Sequence, residues 1–154
     1  MENKHILSSF DDDLKKLNDN LLKLGNGALT NFDSCINNFG TQDIIEIDKV
    51  INGDIILDEL DDKVQKLGFE IIALRAPQAA DLRRVIVALK IATIFERIGD
   101  YSRNISNRTK LLIELNYSDL PGVNIGKMGQ KTLTMMEDVI ELSLIHISEP
   151  TRPY

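Results

Sequence analysis

A chain of 154 residues with 43% hydrophobic residues is long enough to bury one sizeable core, and its length predicts one domain or slightly more. The 24 acidic residues outweigh 18 basic ones, and the formal net charge of -6 argues against nucleic acid or anionic lipid as a nonspecific partner. The single cysteine, Cys35, excludes an internal disulfide framework, fits a reducing compartment and is expected to pack. The polar start from Met1 to His5 is not followed by the apolar run of a signal peptide. The most apolar stretch, Val85 to Ile98, carries Lys90 and Glu96 and falls short of the roughly 20 residues of a bilayer span. A soluble, cytoplasmic protein without direct membrane insertion is expected.

In chain order, the first helix is marked by Phe10, Leu14, Leu17, Leu21, Leu24 and Ala28, spaced 4, 3, 4, 3 and 4, the stripe of a helix packing in a bundle. Phe32, Cys35 and Phe39 continue it, so the helix is expected to survive Gly25 and Gly27 and stop near Gly40. Asp11, Asp12 and Asp13 read as an acidic cluster at its N-terminus, favoured by the macrodipole. The second helix shows Ile44, Ile47, Ile51, Leu57, Leu60, Val64, Leu67, Ile71 and Leu74, interrupted at Asn52-Gly53-Asp54 by a bend or a close approach of backbones. Arg75-Ala76-Pro77 breaks the pattern, since proline disfavours a helical residue before it, and a tight turn belongs there. A third helix runs from about Gln78 to Leu112, with Leu82, Ile86, Leu89 and Thr93 as its inward stripe. Asn116 to Gly126 contains Pro121 and two glycines and reads as a linker. Leu133, Met136, Val139 and Ile140 start a fourth helix with no visible partner, expected to fray or self-associate.

Three segments then carry a family resemblance: Val50-Ile51-Asn52-Gly53-Asp54, Arg75-Ala76-Pro77-Gln78-Ala79-Ala80-Asp81-Leu82-Arg83, and Glu96-Arg97-Ile98-Gly99-Asp100. In this order and spacing they resemble the first half of the PhoU family. The resemblance implies an all-α fold, with an antiparallel three-helix bundle over residues 1–115. The linker and first helix of a truncated second bundle follow over 116–141. Residues 142–154 resemble a translated sequencing adaptor and are expected to be a non-native tail, so His146 is assigned no function. The resemblance further implies negative regulation of phosphate uptake and phosphate-starvation signalling. The implied contacts are with the ATPase of a phosphate ABC importer and with a sensor histidine kinase, and a homodimer is implied at full length.

Glu96 and Asp100, four apart, share one helix face, and the stripe from Leu82 to Thr93 places that face inward. Burying two like charges is costly without a cation, a basic neighbour or hydrogen bonds. The resemblance supplies the cation, since such motifs bind metal clusters in PhoU proteins. The expected metal ligands are Glu96, Asp100, Asp61 and Asp54. The ion is expected to be divalent or ferric; oxygen ligands favour hard ions such as Mg, Mn or Ca, and the resemblance adds Fe or Zn. Asp54, Asp58 and Asp61 read as a solvated row contributing one ligand, and Gln65 stands where several relatives have Asp. The alternative is an ion-pair network of Glu96 and Asp100 with Arg97, Arg103 or Lys90. At the turn, Arg75, Pro77, Asp81 and Arg83 form a structural or partner-binding set, with Asp81 at the start of the third helix paired to Arg75 or Arg83. No nucleophile stands beside a base and no Glu-x-x-His pair is present, so an enzyme is not expected. The alternative function is a metal-dependent phosphate-handling enzyme or a metal-storage bundle.

Overall fold

The computed structural model describes residues 2–39, 41, 43–116 and 124–148. They form four helices: α1 (Glu2–Asn38), α2 (Ile44–Arg75), α3 (Ala79–Glu114) and α4 (Ile125–Ser148). Among the described residues there is no strand, and the all-α expectation holds. Most of the linker, including Pro121, and the tail beyond Ser148 lie outside the described residues, while α4 itself continues across the boundary expected at 142.

The first three helices close on one another in alternating directions. Register follows from contacts along each pair. Arg75 at the end of α2 reaches Asp13 in the first half of α1 at 2.9 Å, whereas Lys110 near the end of α3 reaches Asp48 near the start of α2 at 2.7 Å. Leu17, Leu21, Leu24 and Ala28 of α1, Leu57, Val64 and Ile71 of α2, and Val85, Ala88, Ala92 and Phe95 of α3 make the shared core. The helix does pass through Gly25 and Gly27, because both face a neighbour: a Cβ on Gly25 would lie 2.9 Å from Phe95 Cε2 and one on Gly27 2.8 Å from Leu57 Cδ2. Likewise the interruption at Asn52-Gly53-Asp54 is a close approach, since a Cβ on Gly53 would meet Asn31 Oδ1 at 2.9 Å. Cys35 packs, as expected, with 2% of its surface exposed.

Two local expectations are corrected. Asp11, Asp12 and Asp13 stand well inside α1, which begins at Glu2, so no helix dipole acts on them; Asp13 serves instead as the partner of Arg75 and Lys16. The inward stripe of α3 is Val85, Ala88, Ala92, Phe95, Gly99, Ser102, Ser106 and Thr109, and Ile86 faces solvent at 40% exposure. Small side chains on that stripe bring α1 and α2 close. Its hydroxyls satisfy themselves on the preceding turn, with Ser102 Oγ donating to Ile98 O at 2.9 Å and Thr109 Oγ1 to Ile105 O at 2.9 Å.

The α2 to α3 turn is built by sequence. Ala76 closes α2 in the left-handed region at φ 46, ψ 53, its N–H donating to Ile72 O, the arrangement in which glycine is usual. Pro77 then blocks a further helical turn. Gln78 is extended, at φ -109 and ψ 151, and α3 begins behind it.

The fourth helix is not stranded. Leu133 and Met136 pack with Phe32 against Leu29 and Ile36 of α1, and Ile140 joins the main core. Gly129 permits the approach, since a Cβ there would stand 2.6 Å from Ile36 Cδ1. Val139 alone of the expected face points outward, at 54% exposure. Each fully buried side chain of this size is worth roughly 1.5–3 kcal/mol, before the cost of ordering the helix. A chain ending at Leu115 is therefore expected to unfold at a lower denaturant midpoint, with a loss on the order of a few kcal/mol, as urea titration of the two chains would measure. Equal midpoints would mean that the α1 contact contributes nothing.

Candidate functional site

Asp54 lies on the buried face of α2 between Val50 and Leu57, with 2% of its surface exposed. It fits there because α3 offers a glycine opposite. A Cβ on Gly99 would stand 2.6 Å from Leu57 Cδ1 and 3.1 Å from Asp54 Oδ1. One turn further along α3, Arg103 donates to Asp54 Oδ2 through one guanidinium nitrogen and to Asp100 Oδ1 through the other. A forked, permanently charged donor suits a bridge between two carboxylates.

Burial pushes the Asp54 carboxyl above the ordinary carboxylate range, against the lowering pull of Arg103, and the nearby charges of Asp58 and Asp100 add to the rise. Burial likewise raises Glu96, with repulsion from Asp100, Asp58, Asp61 and Asp54 in that order. The α2 and α3 seam thus gathers five carboxylates, with Arg103 as the one cation the structure pairs to them among the described residues.

All four expected metal ligands come to this seam, in different environments. Glu96 is half-buried and makes no ion pair among the described residues. Asp100 is bridged to Asp54 by Arg103, so the ion-pair alternative holds for Asp100 through Arg103, while Arg97 instead donates to Tyr101 Oη at 3.1 Å. Asp61 accepts from Gln65 Nε2 at 3.1 Å, and the same nitrogen lies 3.3 Å from Leu89 O and 3.2 Å from Thr93 Oγ1. Gln65 therefore ties α2 to α3. The row from Asp54 to Asp61 is not uniformly solvated, because its first member is buried. The all-oxygen donor set suits a hard cation, but among the described residues no three His, Cys, Asp or Glu side chains are arranged to hold a metal ion.

At the turn, Pro77 is half-buried and Arg75 pairs with Asp13 rather than Asp81. Asp81 sits in the first turn of α3, where negative charge complements the helix dipole, and its partner is Arg84 at 3.5 Å. The spacing explains this, since a residue three positions on shares the face of Asp81 and Arg83 does not. Arg83 is exposed. Sequence reading missed the Asp48 to Lys110 pair and the Ser106 hydroxyl beside Cys35. Burial pushes the Cys35 thiol up, and the Ser106 hydrogen bond opposes that rise. A groove of about 430 Å³ on the other side of α2, lined by Asn26, Thr30, Glu46 and Ile56 among others, is separate from the carboxylates.

Three mutually packed helices with a short proline turn and a carboxylate seam define a helical-bundle domain, and the comparisons with known proteins place it. The family model of the PhoU domain matches residues 21–109, and the chain belongs to that family. It is similar to the phosphate-specific transport system accessory protein PhoU homolog of Caulobacter vibrioides (strain NA1000 / CB15N), 31% identical over 138 residues, 90% of this chain and 60% of the relative. It is also similar to the homolog of the same name from Rhizobium meliloti (strain 1021), 30% identical over 149 residues, 97% of this chain and 58% of the relative. The phosphate-specific transport system accessory protein PhoU of Escherichia coli (strain K12) is 28% identical over 153 residues, 99% of this chain and 63% of the relative. The chain thus spans between 58% and 63% of the length of these curated relatives.

Removing one partner of a buried ion pair leaves an uncompensated charge, at roughly 3–5 kcal/mol. Arg103→Gln is expected to cost about that much near neutral pH, less in proportion to the exposed part of the guanidinium. Adding Asp54→Asn should recover part of the loss, because the stranded charge is gone. Denaturant unfolding of the single and double variants checks this; a double variant no more stable than the single would show that Arg103 acts through packing rather than charge.

Proposed function

We propose that the chain is part of an accessory regulator of phosphate uptake, restraining the importer and the phosphate-starvation response through protein contacts. The observation that carries this reading is the PhoU domain match across residues 21–109, supported by relatives named as accessory proteins of phosphate-specific transport. The partners in this reading are the importer's ATPase and a sensor histidine kinase. The protein works from the cytoplasm, as a homodimer at full length, and has no catalytic role. Among the described residues no helix is long and apolar enough to cross a membrane, which accords with action on a membrane complex from outside the bilayer. Deleting the gene in its own cell is expected to switch on a phosphate-scavenging reporter several-fold in phosphate-rich medium. Unchanged reporter output would end the regulatory assignment, and phosphatase activity lost in Glu96→Ala would turn it toward an enzyme.

A second reading concerns metal. We propose that a divalent or ferric ion competes with Arg103 for the carboxylates of Glu96, Asp100, Asp61 and Asp54. The excess of carboxylates over guanidinium at the seam supports it, because a hard cation would relieve the repulsion. An ion that binds the folded chain raises thermal stability by mass action. Mg, Mn and ferric ions are accordingly expected to raise the melting temperature, more strongly in Arg103→Gln, where the competing cation is gone. Glu96→Gln with Asp100→Asn should abolish the shift. No shift in either the parent chain or Arg103→Gln would remove the metal from the function.

A further inference from the structure

The outer side of α3 differs in charge from the molecule that carries it. The chain as a whole has a net charge of -6, yet no exposed residue of α3 from Arg83 to Leu111 is acidic. Glu96 and Asp100 belong to the α2 seam, and both are half-buried. Along the outer face Val87, Ile94 and Tyr101 recur every seven residues, exposed at 45%, 56% and 53%. Arg83, Lys90 and Arg97 precede them by four residues each, so each base flanks the apolar residue one turn on. Arg83 and Lys90 make no ion pair among the described residues, and Arg97 donates to the Tyr101 hydroxyl. The ridge is α-helix throughout, and its inner side is buried at Val85, Ala88, Ala92 and Phe95.

A seven-residue repeat of apolar side chains flanked by one sign of charge is the pattern by which a helix selects another helix. We propose that this ridge docks an amphipathic helix of a partner protein, with apolar residues against Val87, Ile94 and Tyr101 and acidic residues against Arg83, Lys90 and Arg97. Charge complementarity picks the occupant. A second copy meeting this ridge symmetrically would set basic flank against basic flank. A bilayer surface calls for a broad apolar face, and here the exposed apolar residues Val87, Ile94 and Tyr101 are interleaved with Arg83, Lys90 and Arg97. The inference deepens the accessory role proposed above and rests on it only in taking the partner to be a protein.

The test is fluorescence anisotropy with the full chain and two labelled three-heptad peptides, alike in their leucine seam, one flanked by glutamate and the other by lysine. The glutamate peptide is expected to bind at least about tenfold more tightly, and to lose affinity with added salt. Lys90→Glu with Arg97→Glu should reverse that preference, while Ile94→Glu should abolish binding of both peptides. All three positions are exposed, and circular dichroism confirms that the variants fold. Equal affinity for the two peptides would overturn the proposal, as would affinities unmoved by the substitutions. It also falls if vesicles of phosphatidylserine and phosphatidylcholine bind the chain and Ile94→Glu releases them while neither peptide binds. Self-association abolished by Ile94→Glu without peptide binding would give the face to a second copy. In cells, a deletion that leaves the phosphate reporter silent defeats the accessory role alone. A deletion phenotype fully rescued by Lys90→Glu with Arg97→Glu defeats this docking face alone.

Discussion

The bundle depends on helix-interior glycines that are covered by side chains of neighbouring helices, Gly25, Gly68 and Gly99 among them. A methyl group on Gly68 would stand 2.4 Å from Leu89 Cδ2, one on Gly99 2.6 Å from Leu57 Cδ1, and one on Gly25 2.9 Å from Phe95 Cε2. Glycine inside a helix costs about 1 kcal/mol relative to alanine. Burying a leucine or phenylalanine returns roughly 1.5–3 kcal/mol, so the exchange favours the packed arrangement wherever the large side chain would otherwise be exposed. Each glycine also fixes register, because only one large side chain of the partner helix can occupy each notch. Gly68 with Leu89 and Gly99 with Leu57 both set α2 against α3, at two levels of that interface.

This packing dictates the electrostatics of the seam. Once Gly99 admits Leu57, Asp54 one turn earlier on α2 is carried to the same notch, 3.1 Å from where a Cβ would be. A carboxylate placed there by backbone geometry needs a cation, and Arg103 lies one turn beyond Gly99 on the facing side. The same guanidinium then collects Asp100. Glu96 makes no ion pair among the described residues, and its pKa is raised by burial first and then by repulsion from Asp100, Asp58, Asp61 and Asp54.

The helices and their order were legible in the sequence because large apolar residues on α1 and α2 recur at threes and fours, and Pro77 punctuates them. The register of α3 was not. A stripe sought among large apolar residues passes through Leu82, Ile86 and Thr93, whereas the buried one runs through Ala88, Ala92, Gly99, Ser102 and Ser106, which score as small or polar but allow the closest approach. Spacing and resemblance named Asp54, Asp61, Glu96 and Asp100, and the structure sets them along the facing sides of α2 and α3 with no three arranged to hold a metal among the described residues. Arg103 was one of several candidate partners, and only the fold shows that it reaches α2 as well as Asp100. The partners of Arg75 and Lys110 lie 62 residues away in sequence, a separation at which no local pattern exists to find them. The docking of α4 was illegible for a related reason: Phe32 of its seat reads in sequence as the mere continuation of the α1 stripe, and Ile36 beside it falls outside that stripe.

That seat explains how the faces of the bundle are shared out. α1 packs against α2, α3 and α4, and a helix enclosed on three sides retains little surface for anything else. α2 gives one side to the core, another to the carboxylate seam and a third to the groove beside α1. α3, like α2, packs against two other described helices, and its outer ridge with exposed Val87, Ile94 and Tyr101 lies over a buried side made by the small-residue stripe. Small residues inward leave the larger branched ones, Ile86, Val87 and Ile94, to face out. The apolar character of the ridge is therefore coupled to the close packing beneath it. Its charge is not: packing requires carboxylates to be compensated at the seam, but among the described residues Arg83, Lys90 and Arg97 form no ion pair with that cluster. A uniformly basic flank on an acidic protein is a feature the fold does not itself require.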